Sequence, residues 1–184
     1  MMFRFWKPAF VLLAAFILAG CISVPMQEAR FTPTAEPQQA LVTFVRESVY
    51  LGDAVPLNLW DGDTFIGALT AGSLVQYQAA PGQHVFMASS ENWAYVKSDL
   101  KPGKHYVIKA NIFPGFMMAR AALVPVESTD KRLGEWPTKL KVKAIDPAKK
   151  DKYIQKQLPR ASAALQKSTD EGVKVFEMTE QHAR

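Results

Sequence analysis

The chain has 184 residues, with 22 Lys/Arg against 17 Asp/Glu, a net charge of +5 and 48% hydrophobic content; this length fits one domain plus appendages. Its single cysteine, Cys21, excludes an internal disulfide. The charge is unevenly placed: residues 21–130 hold 7 basic and 10 acidic side chains, net −3, whereas residues 131–184 hold 13 and 7, net +6.

Residues 1–20 open with Arg4 and Lys7 and then run from Pro8 to Leu18 almost without polarity. A stretch of about 11 apolar residues is too short for the roughly 20 that a membrane span needs. The order of charged, apolar and small residues is that of an export signal. The stretch ends in Leu18-Ala19-Gly20-Cys21, which resembles the lipobox of bacterial lipoprotein precursors. That resemblance implies diacylglycerol on the Cys21 sulfur, cleavage before Cys21 and acylation of the new amine. Two or three acyl chains, at about 0.8 kcal/mol per buried CH₂, would anchor the protein in effect permanently. The competing reading of Cys21 is a buried free thiol. Ile22, where Asp would favour inner-membrane retention, implies by the same resemblance an outer-membrane address facing the periplasm. Loss of residues 1–20 leaves a chain of net +3.

Residues 21–39 contain Pro25, Pro33 and Pro37 with little periodicity and are expected to form a flexible tether. From Ala40 onward, short β-type runs alternate with turn residues. These runs are 41–46, 57–60, 64–69, 73–78, 83–89, 93–97, 105–111 and 118–126, with Asp61-Gly62-Asp63 as a hairpin signal. About eight strands at this spacing predict an antiparallel β-sandwich or partly closed barrel over residues 40–127. Val85 and Met87 alternate with Phe86 and Ala88, suggesting one buried and one exposed face. Pro81-Gly82-Gln83-His84 is echoed by Pro102-Gly103-Lys104-His105, each a turn that launches a strand.

Within the same stretch, several segments occur in order: Ala40 to Arg46, Asp61 to Asp63 before Phe65 to Leu69, Tyr77 ahead of Pro81 to His84, Leu100 to Tyr106, and Gly115-Phe116 ahead of Leu123 to Val126. Together they resemble an uncharacterised domain of small bacterial lipoproteins, akin to the PEGA-type β-sandwiches. The resemblance implies a β-sandwich and an envelope address and supplies no catalytic residues.

Residues 128–184 read as a basic, mostly helical C-terminal extension. Leu140 to Ala144 alternates and suggests a lysine-guarded edge strand. Asp146-Pro147 is a helix-start signal. Ile154, Leu158, Ala161 and Leu165 form one apolar stripe on a helix expected from Pro147 to Thr169, kinked at Pro159. The last residues are expected as frayed helix, with a short strand at Val173 to Val175 as the alternative.

The chemistry-bearing residues are few. No nucleophile elbow, His-Glu-x-x-His, dinucleotide fingerprint or phosphate loop is present, so no catalytic residue, cofactor or metal is expected. His84 and His105 would meet at a metal only if their strands were neighbours; otherwise they are turn histidines. Asp53, Asp61 and Asp63 lack the further oxygen ligands of a calcium loop and read as turn residues. Trp60, Trp93, Trp136, Tyr77, Tyr95 and Tyr106 belong either to the core or to a sugar-stacking surface. Trp93 and Tyr95, beside the turn-like Glu91-Asn92, are the best candidates for ligand contact. Ile112 to Met118 is either a hydrophobic tip that meets a membrane or partner, or a buried bulge. Lys149, Lys150, Lys152, Lys156 and Lys167 read as a solvated helix face. The envelope address argues against nucleic acid and leaves anionic lipid headgroups or cell-wall polymer as electrostatic partners. The sequence thus predicts a lipid-anchored, non-enzymatic envelope protein carrying a binding or structural module. A carbohydrate- or peptidoglycan-binding accessory lipoprotein is the alternative.

Overall fold

A computed structural model describes residues 25–50, 52–117 and 119–184. The leader, Cys21 and Ile22 lie outside the described residues, as does Met118. Eleven strands are present among them: β1 (Met26–Glu28), β2 (Ala40–Arg46), β3 (Leu57–Asp61), β4 (Thr64–Leu69), β5 (Ser73–Ala79), β6 (Gly82–Ser89), β7 (Trp93–Leu100), β8 (His105–Pro114), β9 (Ala119–Pro125), β10 (Lys141–Ile145) and β11 (Val175–Met178). They build one six-stranded sheet, in the order β1-β10-β5-β2-β8-β9, and one five-stranded sheet, in the order β11-β7-β6-β3-β4.

The sheets are mixed rather than antiparallel throughout. β2 pairs in parallel with β8, β5 with β10, and β7 with β11. Each of these pairs is separated by a long crossover, as parallel neighbours require. Side-chain alternation has the same period in either direction, so it carried no signal of this. Asp61 and Thr64 close the β3–β4 hairpin around Gly62 and Asp63, as the sequence suggested. A bulge between Leu59 and Trp60 shifts the register of that pair. Gly67, with φ of 153°, lies against Met26, whose Cε would be 3.0 Å from a Cβ at that position.

The two sheets face each other across a core that includes Phe44, Leu57, Leu59, Val75, Phe86, Val96, Ile108 and Leu123. Phe44 and Phe86 meet edge-on at 5.5 Å between ring centroids. The outer faces are covered as well, contrary to the expectation of one exposed face. The helix Lys150–Lys167 lays Tyr153, Ile154, Leu158, Ala161, Ala164 and Leu165 on Trp60, Phe65, Val85, Met87 and Tyr95 of the five-stranded sheet. Val45, Leu74, Val107 and Val126 of the other sheet are capped by Phe31, Leu133, Trp136 and Leu140. Val85 and Met87 therefore face the helix, while Phe86 and Ala88 face the core. The two-sided cover explains why every residue of β2 is buried.

The predicted helical stripe is present, and the helix runs through Pro159. Its start differs. Asp146 turns the chain before the helix, its carboxylate accepting the Ala148 N–H at 3.0 Å, and helical geometry begins at Lys150. The expected edge strand, β10, lies one strand inside the edge because β1 pairs outside it. Residues 25–39, expected as a tether, are stitched to the domain. Beyond β1, the Thr32 N–H donates to Gln76 Oε1 at 2.7 Å, the Gln76 amide donates back to the Thr32 carbonyl at 2.8 Å, and the Glu36 N–H donates to Gln78 Oε1 at 3.1 Å. After the helix, the chain adds β11 and a short 3-10 turn, Glu180–His182, instead of frayed helix. Arg184 then exchanges two backbone hydrogen bonds with His105.

Candidate functional site

The three histidines are each committed to local structure. His84 and His105 occupy different sheets and do not meet. His84 Nδ1 lies 2.8 Å from Asp61 Oδ2, and its Nε2 lies 2.7 Å from the Ala80 carbonyl, so both ring nitrogens face acceptors. The Asp61 hydrogen bond is the main reason the His84 pKa is raised above its ordinary value. Tyr77 donates to the same carboxylate at 3.2 Å; burial, reinforced by the Asp61 charge, pushes the phenol up to about 12. Asp61 therefore organises a turn, and Asp63 accepts from Ser162 Oγ at 2.7 Å, fastening the long helix. Asp53 takes hydrogen bonds from Ser48 Oγ and the Val49 N–H. Among the described residues, no group of three His, Cys, Asp or Glu side chains converges as metal ligands would.

His105 Nε2 lies 2.8 Å from Thr43 Oγ1, a hydroxyl that could act as a nucleophile, and His182 Nδ1 lies 3.2 Å from Thr179 Oγ1 at the start of the C-terminal 3-10 turn. Burial, with a smaller contribution from Arg184, pulls the His105 pKa down to about 4 and keeps the ring neutral. The adjoining cavity, roofed by Phe31, Trp136, Pro137 and Arg184, has a volume of about 10 Å³. That space holds at most one water and no substrate. Gln76 Nε2 also donates to Thr43 Oγ1 at 3.1 Å, so the cluster holds buried polar groups in register.

Trp93 and Tyr95 lie on the same face of β7 and meet different environments. Tyr95 is buried under the helix and donates its hydroxyl to the Ala164 carbonyl at 3.1 Å; burial raises its pKa. Trp93 is half-buried at the rim of the same cluster. It forms a wall of the largest groove among those described, of about 560 Å³. The other walls come from Phe113 and Pro114 at the end of β8, Arg120 on β9, and Val173, Lys174 and Phe176 around β11. The groove runs between the free edge of the six-stranded sheet at β9 and that of the five-stranded sheet at β11. Asn92 sits at one end, with its side chain donating to the Ala121 carbonyl and accepting the Ala121 N–H, both at 2.8 Å. The amide thus satisfies part of the β9 edge.

Arg120, Lys167 and Lys174 line this groove, and no carboxylate does. Among the described residues none of the three cations is in an ion pair. Lys174 Nζ instead sits 4.7 Å from the centroid of Phe176. The groove therefore offers positive charge beside aromatic faces, an arrangement suited to holding an anionic or ring-bearing ligand rather than to moving protons. Sequence spacing singled out Trp93 and left out Arg120, Lys174 and Phe176, which reach the groove from strands distant in the chain. Neither a protein-family model, nor a curated protein, nor a solved structure matches this chain.

Proposed function

We propose that this chain is a lipid-anchored cell-envelope protein, attached through Cys21, whose two-sheet domain is a non-catalytic binding module with its ligand site in the Trp93 groove. The observation that carries the binding reading is the convergence of Arg120, Lys167 and Lys174 with Trp93 and Phe176 around one open cavity, without an opposing carboxylate. The lipobox-like Leu18 to Cys21 supports the address. The order of turns across residues 40–127 supports kinship with the PEGA-like sandwiches of small lipoproteins. Carbohydrate or peptidoglycan is the ligand class favoured second, because a half-buried indole on a groove wall can stack on a sugar ring. Sedimentation of the purified protein with isolated peptidoglycan, beside a glycan array, tests the site. Retention lost in Trp93→Ala and in Arg120→Ala supports it. Retention unchanged in both variants, or no retention on any glycan surface, removes the glycan reading. Acyl labelling in cells that persists in a Cys21→Ala variant would refute the attachment site.

A further inference from the structure

Every large hydrophobic side chain that stands exposed among the described residues is at one end of the molecule. These are Val49, Tyr50, Phe113, Phe116 and Met117. Phe113 lies at the end of β8, the others sit on two loops, one after β2 and one between β8 and β9, and the parallel pairing of β2 with β8 brings these segments together. Val49 and Phe113 line one shallow cleft with Ile112. Gly52 lies so close to β9 that a Cβ there would be 2.8 Å from Ala119 Cβ. The tip is held in shape from below: the Glu91 carboxylate accepts the N–H groups of Phe116 and Met117 at 2.8 and 3.1 Å, while their side chains are 95% and 83% exposed. Collecting all such side chains in one patch is costly in water unless something covers it.

The neighbouring charge identifies the occupant. The groove with Arg120, Lys167 and Lys174 shares Phe113 and Pro114 with the tip, so a groove holding three cations, none in an ion pair among the described residues, borders it. Asp170 and Glu171 occupy the turn between the lysines and do not line the groove, and Glu47 is paired with Lys109 at 2.5 Å. The geometry points to a membrane-contact surface: the Tyr50–Phe113–Phe116–Met117 tip enters the headgroup and upper acyl region of an anionic bilayer, and Arg120, Lys167 and Lys174 receive lipid phosphates. Apolar and aromatic side chains backed by cations are the combination that binds such interfaces. This surface is built wholly within the domain and does not depend on the chemistry at Cys21.

The test uses the full chain reconstituted into vesicles of phosphatidylcholine, alone or with about a third phosphatidylglycerol. A Met117→Cys variant carries a polarity-sensitive dye. A Lys104→Cys variant reports from the turn that precedes β8, and the parent chain supplies the background from Cys21. The expected result is a blue shift at position 117, with quenching by acyl-brominated lipid in the anionic vesicles and none at position 104. Removing one cation by Arg120→Ala or Lys174→Ala should lower the inserted fraction about fivefold. Quenching at 117 no greater than at 104, or insensitivity to lipid charge, would overturn the proposal. So would shielding of the dye that appears only on adding a soluble envelope protein fraction.

Discussion

Replacing His105 with glutamine should make the protein less sensitive to acid. The ring is buried at 7% exposure and bonded to Thr43 Oγ1, and its folded pKa is pulled down to about 4. An unfolded imidazole titrates near 6.5. Between those values the unfolded chain takes up a proton that the folded chain refuses, so stability falls as pH is lowered through that window. At about 1.36 kcal/mol per pH unit, the gap corresponds to roughly 3 kcal/mol when fully expressed. Glutamine keeps a donor for Thr43 and does not titrate. Urea unfolding of both proteins near pH 7 and near pH 4.5 isolates the effect, because the carboxylates titrate alike in each. The parent should lose about 2–3 kcal/mol more than His105→Gln on acidification. Equal losses, or a larger loss in the variant, would refute the reasoning.

His84 should behave in the opposite sense. Its folded pKa is raised by Asp61, so its contribution is present below about pH 6.5 and disappears as pH rises through the folded value; His84→Gln should destabilise the protein more near pH 6 than near pH 9, read by thermal melts. Arg46, fully buried, donates to the carbonyls of Val55, Leu69 and Gly52 at 2.5, 3.3 and 2.7 Å. Arg46→Met strands those three acceptors and should cost about 3 kcal/mol in urea unfolding, with Arg46→Lys recovering only part because it lacks the planar fork. Tyr153→Phe removes the hydrogen bond to Asn58 Oδ1 but keeps the ring against Phe65 at 5.4 Å. It should cost about 1 kcal/mol and speed hydrogen exchange in the long helix without unfolding the sheets.

The eight strands from Ala40 to Pro125 were readable because they are short β-type runs bounded by turn residues, most often Gly, Pro or Asp. The helical stripe was readable because Ile154, Leu158, Ala161 and Leu165 keep one face. Strand direction was not, since a period of two is the same in parallel and antiparallel pairs. β1 escaped notice because three residues between prolines show no pattern; Met26 is fixed by Gly67 and by the Ala68 N–H, which donates to its sulfur at 3.3 Å. The covered outer face did leave a trace: in β6, Val85 and Met87 are as apolar as Phe86 and Ala88, more than a solvated face needs. The groove left less, because Trp93, Arg120 and Lys174 are brought together by the meeting of two sheet edges rather than by any local spacing. Tyr95 shares the strand face of Trp93, and only the position of Ala164 separates a buried ring from one at the rim.

The proposed anchorage of this domain through a thioether at Cys21 is tested most directly by intact-mass analysis of protein purified from bacterial membranes. It predicts a chain that begins at residue 21 and is heavier by a diacylglyceryl group and, where the amine is acylated, a further fatty acid. A mature chain with a free thiol at Cys21, or one that still begins at Met1, would contradict it.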